Sequence, residues 1–266
     1  MEVRPPAVAG LFYPGNQTNL SQLVDQLLES VVVPGLAPKA MILPHAGYRY
    51  SGQMAAQGYA TLPAAAADLK QVVLLGPNHR VGLPAIALPG VEAMATPLGE
   101  VQIWAEGVAI ASQFSQVVTS PEVHAEEHSL EVHLPFLQRT LPHIPVLPLA
   151  VGWVEPEAVA EVLDAVWGGP ETLVIVSSDL SHYHPYSQAK AIDQATISQV
   201  LKLGPPLETE QACGATPING LLEVAARRGM VPAMVDACSS GDTSFDHSRV
   251  VGYTFIRFDE PGALNA

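Results

Sequence analysis

The chain has 266 residues, 48% of them hydrophobic and only 14% charged, so it can bury a sizeable core and is not of a disordered composition. Its formal charge of −14 argues against nucleic acid or an anionic membrane as a partner held by bulk electrostatics, since both need a basic face. The start has no basic segment leading into an apolar run, no apolar stretch reaches the roughly 18–20 residues of a bilayer span, and two cysteines make no disulfide framework, so a cytoplasmic setting is expected.

In chain order, the apolar runs KAMILP (39–44), QVVLLG (71–76), PVLPLAVG (145–152) and TLVIVSS (172–178) predict strands buried on both faces. RVVGYTFIRF (249–258) alternates as a final strand. Helical spacing covers 52–62, 155–167, 187–203 and 217–229, the last ending at Gly229 as C-terminal capping favours. Strands alternating with helices predict an α/β fold: one αβα domain of three layers over residues 1–266, with a mostly parallel or mixed central sheet. In such sheets ligands bind beyond the carboxyl ends of the strands.

Those ends carry polar chemistry. MILP runs into His45, with Gly47 expected to let the backbone turn closely around a pocket. VVLLGPNH ends at His79, and LVIVSSDLSHYH ends in Ser177, Ser178 and Asp179 with His182 and His184 just beyond. Before the last strand stand Cys238, Asp242, Asp246 and His247. Two imidazoles and a carboxylate on one face of a metal suit non-haem iron(II); the same donors with a water suit zinc hydrolysis. A histidine beside them, such as His182, can move a proton near neutral pH.

HAEEHSLEVHLPF (124–136) is the densest histidine cluster. A continuous helix would put His124 and His128 on one face, in an H-x-x-E-H arrangement with Glu127. The same helix would align Glu127 with Glu131 and bring His133 near. A second reading makes Glu127, His128, Glu131 and His133 partners that orient ligand histidines from behind.

Taken together, AVAGLFYPG (7–15), PHAGYRYSG (44–52), GPNH (76–79), EHSLEVHLPF (127–136), SSDLSHY (177–183), CGATPING (213–220) and SSGD…VVGY (239–253) resemble the MEMO family, whose bacterial members are protein B of the AmmeMemoRadiSam system. The resemblance implies a fold similar to the catalytic subunit of class III extradiol ring-cleaving dioxygenases, which use iron(II). It implies metal binding by His45 and His79, and pocket roles for Asp179 and His182. Phe12 and Tyr50 match the aromatic residues that line that pocket, and His133 and Cys238 are further expected on the substrate side. Animal members place a cysteine as third ligand; ungapped alignment puts Asp242 opposite it, with Cys238 in reserve.

The expectation is therefore a divalent-metal protein, iron(II) first and zinc or copper next, with His182 as acid/base and Asp179 orienting it or the substrate. A small-molecule or peptide ligand is expected. A radical SAM protein and the third protein of the system are the implied partners. A non-catalytic peptide-binding module and a zinc hydrolase are the alternatives.

Overall fold

The continuous apolar runs become central strands because helices cover both faces of the sheet they form. The structure, a computed structural model, describes residues 2–31 and 37–262. Its strands are β1 (Val3–Arg4), β2 (Ala40–Leu43), β3 (Gln71–Pro77), β4 (Ile86–Leu88), β5 (Ala93–Thr96) and β6 (Gly99–Gln102). They continue with β7 (Val117–Thr119), β8 (Val146–Val151), β9 (Thr172–Ser177), β10 (His182–His184), β11 (Val231–Ser239) and β12 (Val250–Asp259). The main sheet runs β10-β12-β2-β9-β3-β8-β4-β7, with β11 also paired to β12. Its centre, β2-β9-β3-β8, is parallel; β12 joins β2, and β4 joins β8, in the antiparallel sense. A small sheet, β1-β5-β6, stands apart.

Alternate strand residues feed two cores. Ile42, Val73, Leu75, Leu149 and Val174 pack with helices Pro156–Val166 and Ala215–Arg228. Met41, Leu43, Val72, Leu74 and Ile175 pack with helices Gln17–Glu29, Tyr48–Tyr59 and Leu134–Thr140. That two-sided burial is the three-layer αβα arrangement, and the sheet is mixed. No helix among the described residues is long and apolar enough to cross a membrane. The helix expected to stop at a glycine does so, with Gly229 in the left-handed conformation at φ +65°.

Among the elements that escaped the sequence reading are the helix Gln17–Glu29, started by the Asn16 side chain accepting from the Asn19 amide, the half-exposed β11, and the short strands β4 to β7. The continuous helix expected over 124–136 is not formed. A short helix, Pro121–Ala125, stops, and a 3-10 turn, Glu131–His133, leads into Leu134–Thr140. The Glu127 carboxylate explains the break: it accepts the amides of His128 and Ser129, giving the backbone a local alternative to the helix ladder.

β9 lies between β2 and β3, and Leu43 pairs in register with Ser177 while Leu75 pairs with Val176. All three run the same way, so the residues after Leu43, Pro77 and Ser177 emerge side by side at one sheet edge. Two glycines let other segments press against that edge. A Cβ on Gly76 would stand 2.8 Å from Leu130 Cδ2 and 2.9 Å from Ser129 Oγ, and one on Gly214 would stand 2.8 Å from the Ser177 carbonyl. Gly47 has no such constraint: its φ is −57°, and a Cβ there would meet nothing nearer than 3.5 Å. Gly47→Ala is therefore expected to change stability by less than about 0.5 kcal/mol, and Gly76→Ala to cost about 1–3 kcal/mol, by urea unfolding.

Candidate metal centre

Three imidazoles converge at this edge. His45, His79 and His128 each offer a ring nitrogen, and these atoms lie within 4.8 Å of one another. Ring centroids are 5.3 Å apart for His45 and His79, 5.3 Å for His45 and His128, and 4.7 Å for His79 and His128. No other group of three or more metal-ligating side chains occurs among the described residues.

The hydrogen bonds dictate which nitrogens are free. Ser177 Oγ must donate to the Ser129 carbonyl at 2.6 Å, because a carbonyl only accepts. It then accepts from His45 Nδ1 at 2.7 Å and from His133 Nε2 at 2.9 Å. His133 Nδ1 in turn accepts from the Tyr59 hydroxyl at 2.8 Å. His45 therefore carries its proton on Nδ1 and presents the Nε2 lone pair toward the site, where Cys213 Sγ lies 3.2 Å away. His79 is fixed likewise, donating from Nδ1 to Glu127 Oε1 at 2.9 Å. His128 Nδ1 lies 3.3 Å from the same oxygen yet is buried with no hydrogen-bond partner, since Oε1 already receives three N–H groups.

Electrostatics agree with this assignment. Burial, then neighbouring His128 and His79, hold the His45 pKa well below its ordinary value. Burial lowers His128 to about 4, although Glu127 opposes it. Burial alone would raise Glu127, but the side-chain bond from His79 and backbone amides hold it at about 2. The result is neutral rings at His45 and His128 and an ionised carboxylate behind His79, an arrangement suited to metal binding. Three convergent ring nitrogens, and a buried His128 Nδ1 that has no hydrogen-bond partner, fit a divalent ion.

Around the rings stand the other expected residues, with differences. Asp179 is buried; Oδ1 accepts the His45 amide at 2.8 Å and Oδ2 lies 4.0 Å from His45 Nε2. Burial pushes its pKa up to about 7 against the bonds from His45 and Ala46. His182, half-buried on β10, has its pKa lowered, first by burial, with the His79 charge also acting on it. Phe12 packs on His128 with ring centroids 4.6 Å apart, and Tyr50 flanks Gly47 beside Phe12.

The expected third ligand is displaced. Asp242 is exposed, outside the imidazole group, and its oxygens are engaged: Oδ2 accepts the Ser239 amide and hydroxyl in a capping box, and Oδ1 accepts from Tyr186. The short helix Ser240–Ser244 uses the carboxylate as its own cap, and His128 joins His45 and His79 instead. Cys238 pairs with Tyr253 across β11 and β12, with burial pushing its thiol up to about 12. Glu131 faces away, toward Arg4, Tyr13 and the amides of Ala7 and Val8. His124 donates from Nε2 to the Ala87 carbonyl at 2.8 Å, which with the broken helix removes the H-x-x-E-H geometry.

Sequence reasoning passed over Cys213. Its Sγ lies 3.2 Å from His45 Nε2, carried there by Gly214, whose amide donates to Ser178 Oγ. The signals were its place at the head of the motif CGATPING and its position directly before the helix Ala215–Arg228.

Fold and site thus define an α/β protein with a three-histidine candidate metal centre at the carboxyl edge of a mixed sheet. Residues 4–257 match the family model described as Memo-like protein, and the chain belongs to that family. It is 37% identical to a MEMO1 family protein of Aquifex aeolicus, covering 97% of this chain and 100% of the relative. A MEMO1 family protein of Methanosarcina acetivorans is 36% identical over 96% of this chain and 99% of its own length. An uncharacterized protein of Escherichia coli K12, 12% identical, superposes with TM-score 0.53 over 82% of this chain and 98% of that one, a likeness of fold.

The buried histidines also make the metal-free protein acid-sensitive. Burial lowers His133 to about 3 and His124 to about 4, whereas an unfolded imidazole titrates near ~6.5. The unfolded chain thus binds protons the folded one refuses, and stability is lost as pH falls from about 6.5 toward 4. Asp179, raised to about 7, acts oppositely between about 4 and 7, but one carboxyl opposes several rings. The urea midpoint of metal-free protein is expected to rise between about pH 5 and 7, and a flat or falling midpoint contradicts this burial.

Proposed function

We propose that the protein binds one divalent metal ion through His45, His79 and His128 and acts on a small molecule that enters beside it. The observation that carries this reading is the meeting of three imidazoles from separate chain segments, two of them oriented by hydrogen bonds at Nδ1. Imidazole donors suit iron, zinc, copper and nickel. We assign iron(II) first and an oxidoreductase reaction of the dioxygenase type, in keeping with the family resemblance; the ion would supply open positions for a chelating substrate and for dioxygen.

The chain's own residues do the remainder. Phe12 and Tyr50 offer aromatic faces to a planar ligand. His182, held in its free-base form by burial, accepts a substrate proton at a ring nitrogen. Asp179 binds the His45 amide and so fixes the turn that presents the ring. Glu127 sets the direction of His79 from behind. A radical SAM protein and the third protein of the same system are the partners we assign, on the family relation alone.

A second reading, zinc-assisted hydrolysis, is favoured by one observation: the convergent donors are three histidines without a carboxylate, a set that catalytic zinc also uses. Metal analysis after purification without oxygen decides between them. Stoichiometric iron with oxygen uptake on a catechol panel supports the first reading, and retained zinc with ester hydrolysis supports the second. A protein that holds no ion under either condition overturns both.

A further inference from the structure

We infer that the small molecule carries a carboxylate, received at the mouth of the metal centre by Arg80 and Arg249; this rests on the metal reading above. The chain is strongly acidic, and most of its guanidiniums are neutralised within it. Arg4 pairs with Glu131, Arg139 with Asp25, Arg227 and Arg228 with Asp164, and Arg257 with Asp259. Arg49, Arg80 and Arg249 are exposed and form no ion pair among the described residues.

Each of the three neighbours a residue named for this site, in sequence or through a ring contact. Arg80 follows His79 directly, and its charge is one of those felt by His128. Arg249 lies 5.0 Å over the Tyr183 ring, which meets His182 at 5.7 Å. Arg49 lies 4.6 Å over Tyr50. Inside, the carboxylates are committed: Glu127 to His79 and two amides, Asp179 to the turn at His45. In a chain with so many acidic side chains, the guanidiniums without an ion-pair partner among the described residues all neighbour residues of this site, and a carboxylate ligand is the counter-charge they lack. A guanidinium stacked on a ring keeps its N–H edge free for bidentate carboxylate binding. The body between carboxylate and metal-binding head would then lie against Phe12 and Tyr50.

The test uses zinc-loaded protein and two chelating probes, benzohydroxamic acid and its 4-carboxy derivative, titrated by calorimetry. The wild type is expected to bind the carboxylated probe about tenfold more tightly at low salt, with the advantage shrinking as salt screens it. In the R80A/R249A double variant the ratio should fall to about one, while benzohydroxamic acid itself binds as before. Equal affinities in the wild type, or a ratio untouched by the substitutions, overturn the proposal. Failure to take up zinc, or to bind either hydroxamate, overturns the metal reading and this inference with it.

Discussion

Replacing His128 with alanine is expected to abolish stoichiometric metal binding, whereas Asp242→Ala leaves it intact. His128 supplies one of three convergent ring nitrogens, and no other ligating side chain of the described residues joins that group. Loss of a residue that merely orients a ligand costs about 10–100-fold in metal affinity, so loss of a ligand should exceed about 100-fold. His45→Ala and His79→Ala should match His128→Ala. Asp242 serves its own short helix, where removing a cap costs about 0.5–2 kcal/mol of local stability. Competitive titration with a chromophoric chelator reads both effects. Metal retained by His128→Ala and lost by Asp242→Ala would reverse the assignment and restore the carboxylate as third ligand.

The second large effect falls on stability. Glu131 is fully buried and accepts from Arg4, the amides of Ala7 and Val8, and the Tyr13 hydroxyl. Arg4 also donates to the carbonyls of His124 and Glu127. This network ties the N-terminal segment, including Phe12, to the segment that carries His128. Glu131→Ala leaves a buried guanidinium unpaired, and breaking such a pair costs about 3–5 kcal/mol. A chemical-denaturation midpoint within experimental error of the wild type would show that the network contributes nothing. Because Phe12 packs on His128, the same substitution should also loosen the metal centre, visible as weaker metal binding at temperatures where the protein remains folded.

Much of the fold could be read from periodicity. The runs at 39–44, 71–76, 145–152 and 172–178 are long enough in apolar residues to be buried on both faces, and each became a central strand. Outer elements were harder to read. β11 is half-exposed, so its sequence lacks the apolar alternation that marks a strand covered on one side. The helix Gln17–Glu29 fully buries only Leu20 and Val24, a short stripe in a polar segment. For the site, landmark alignment placed Asp242 by counting residues, and counting cannot see a side chain turn back to cap its own backbone.

The sequence by itself determined that His45, His79 and Asp179 follow strands of one sheet, because the burial pattern of a strand and the polarity of the residue after it are local properties. Only the tertiary structure decided that His128 completes the group. That outcome depends on Glu127 accepting the amide of distant His79 along with those of His128 and Ser129, and on the bare Cα of Gly76 admitting Ser129 and Leu130 against the strand. Both are contacts between residues far apart in the chain, set by how closely two backbones can approach, and no window of sequence records that distance.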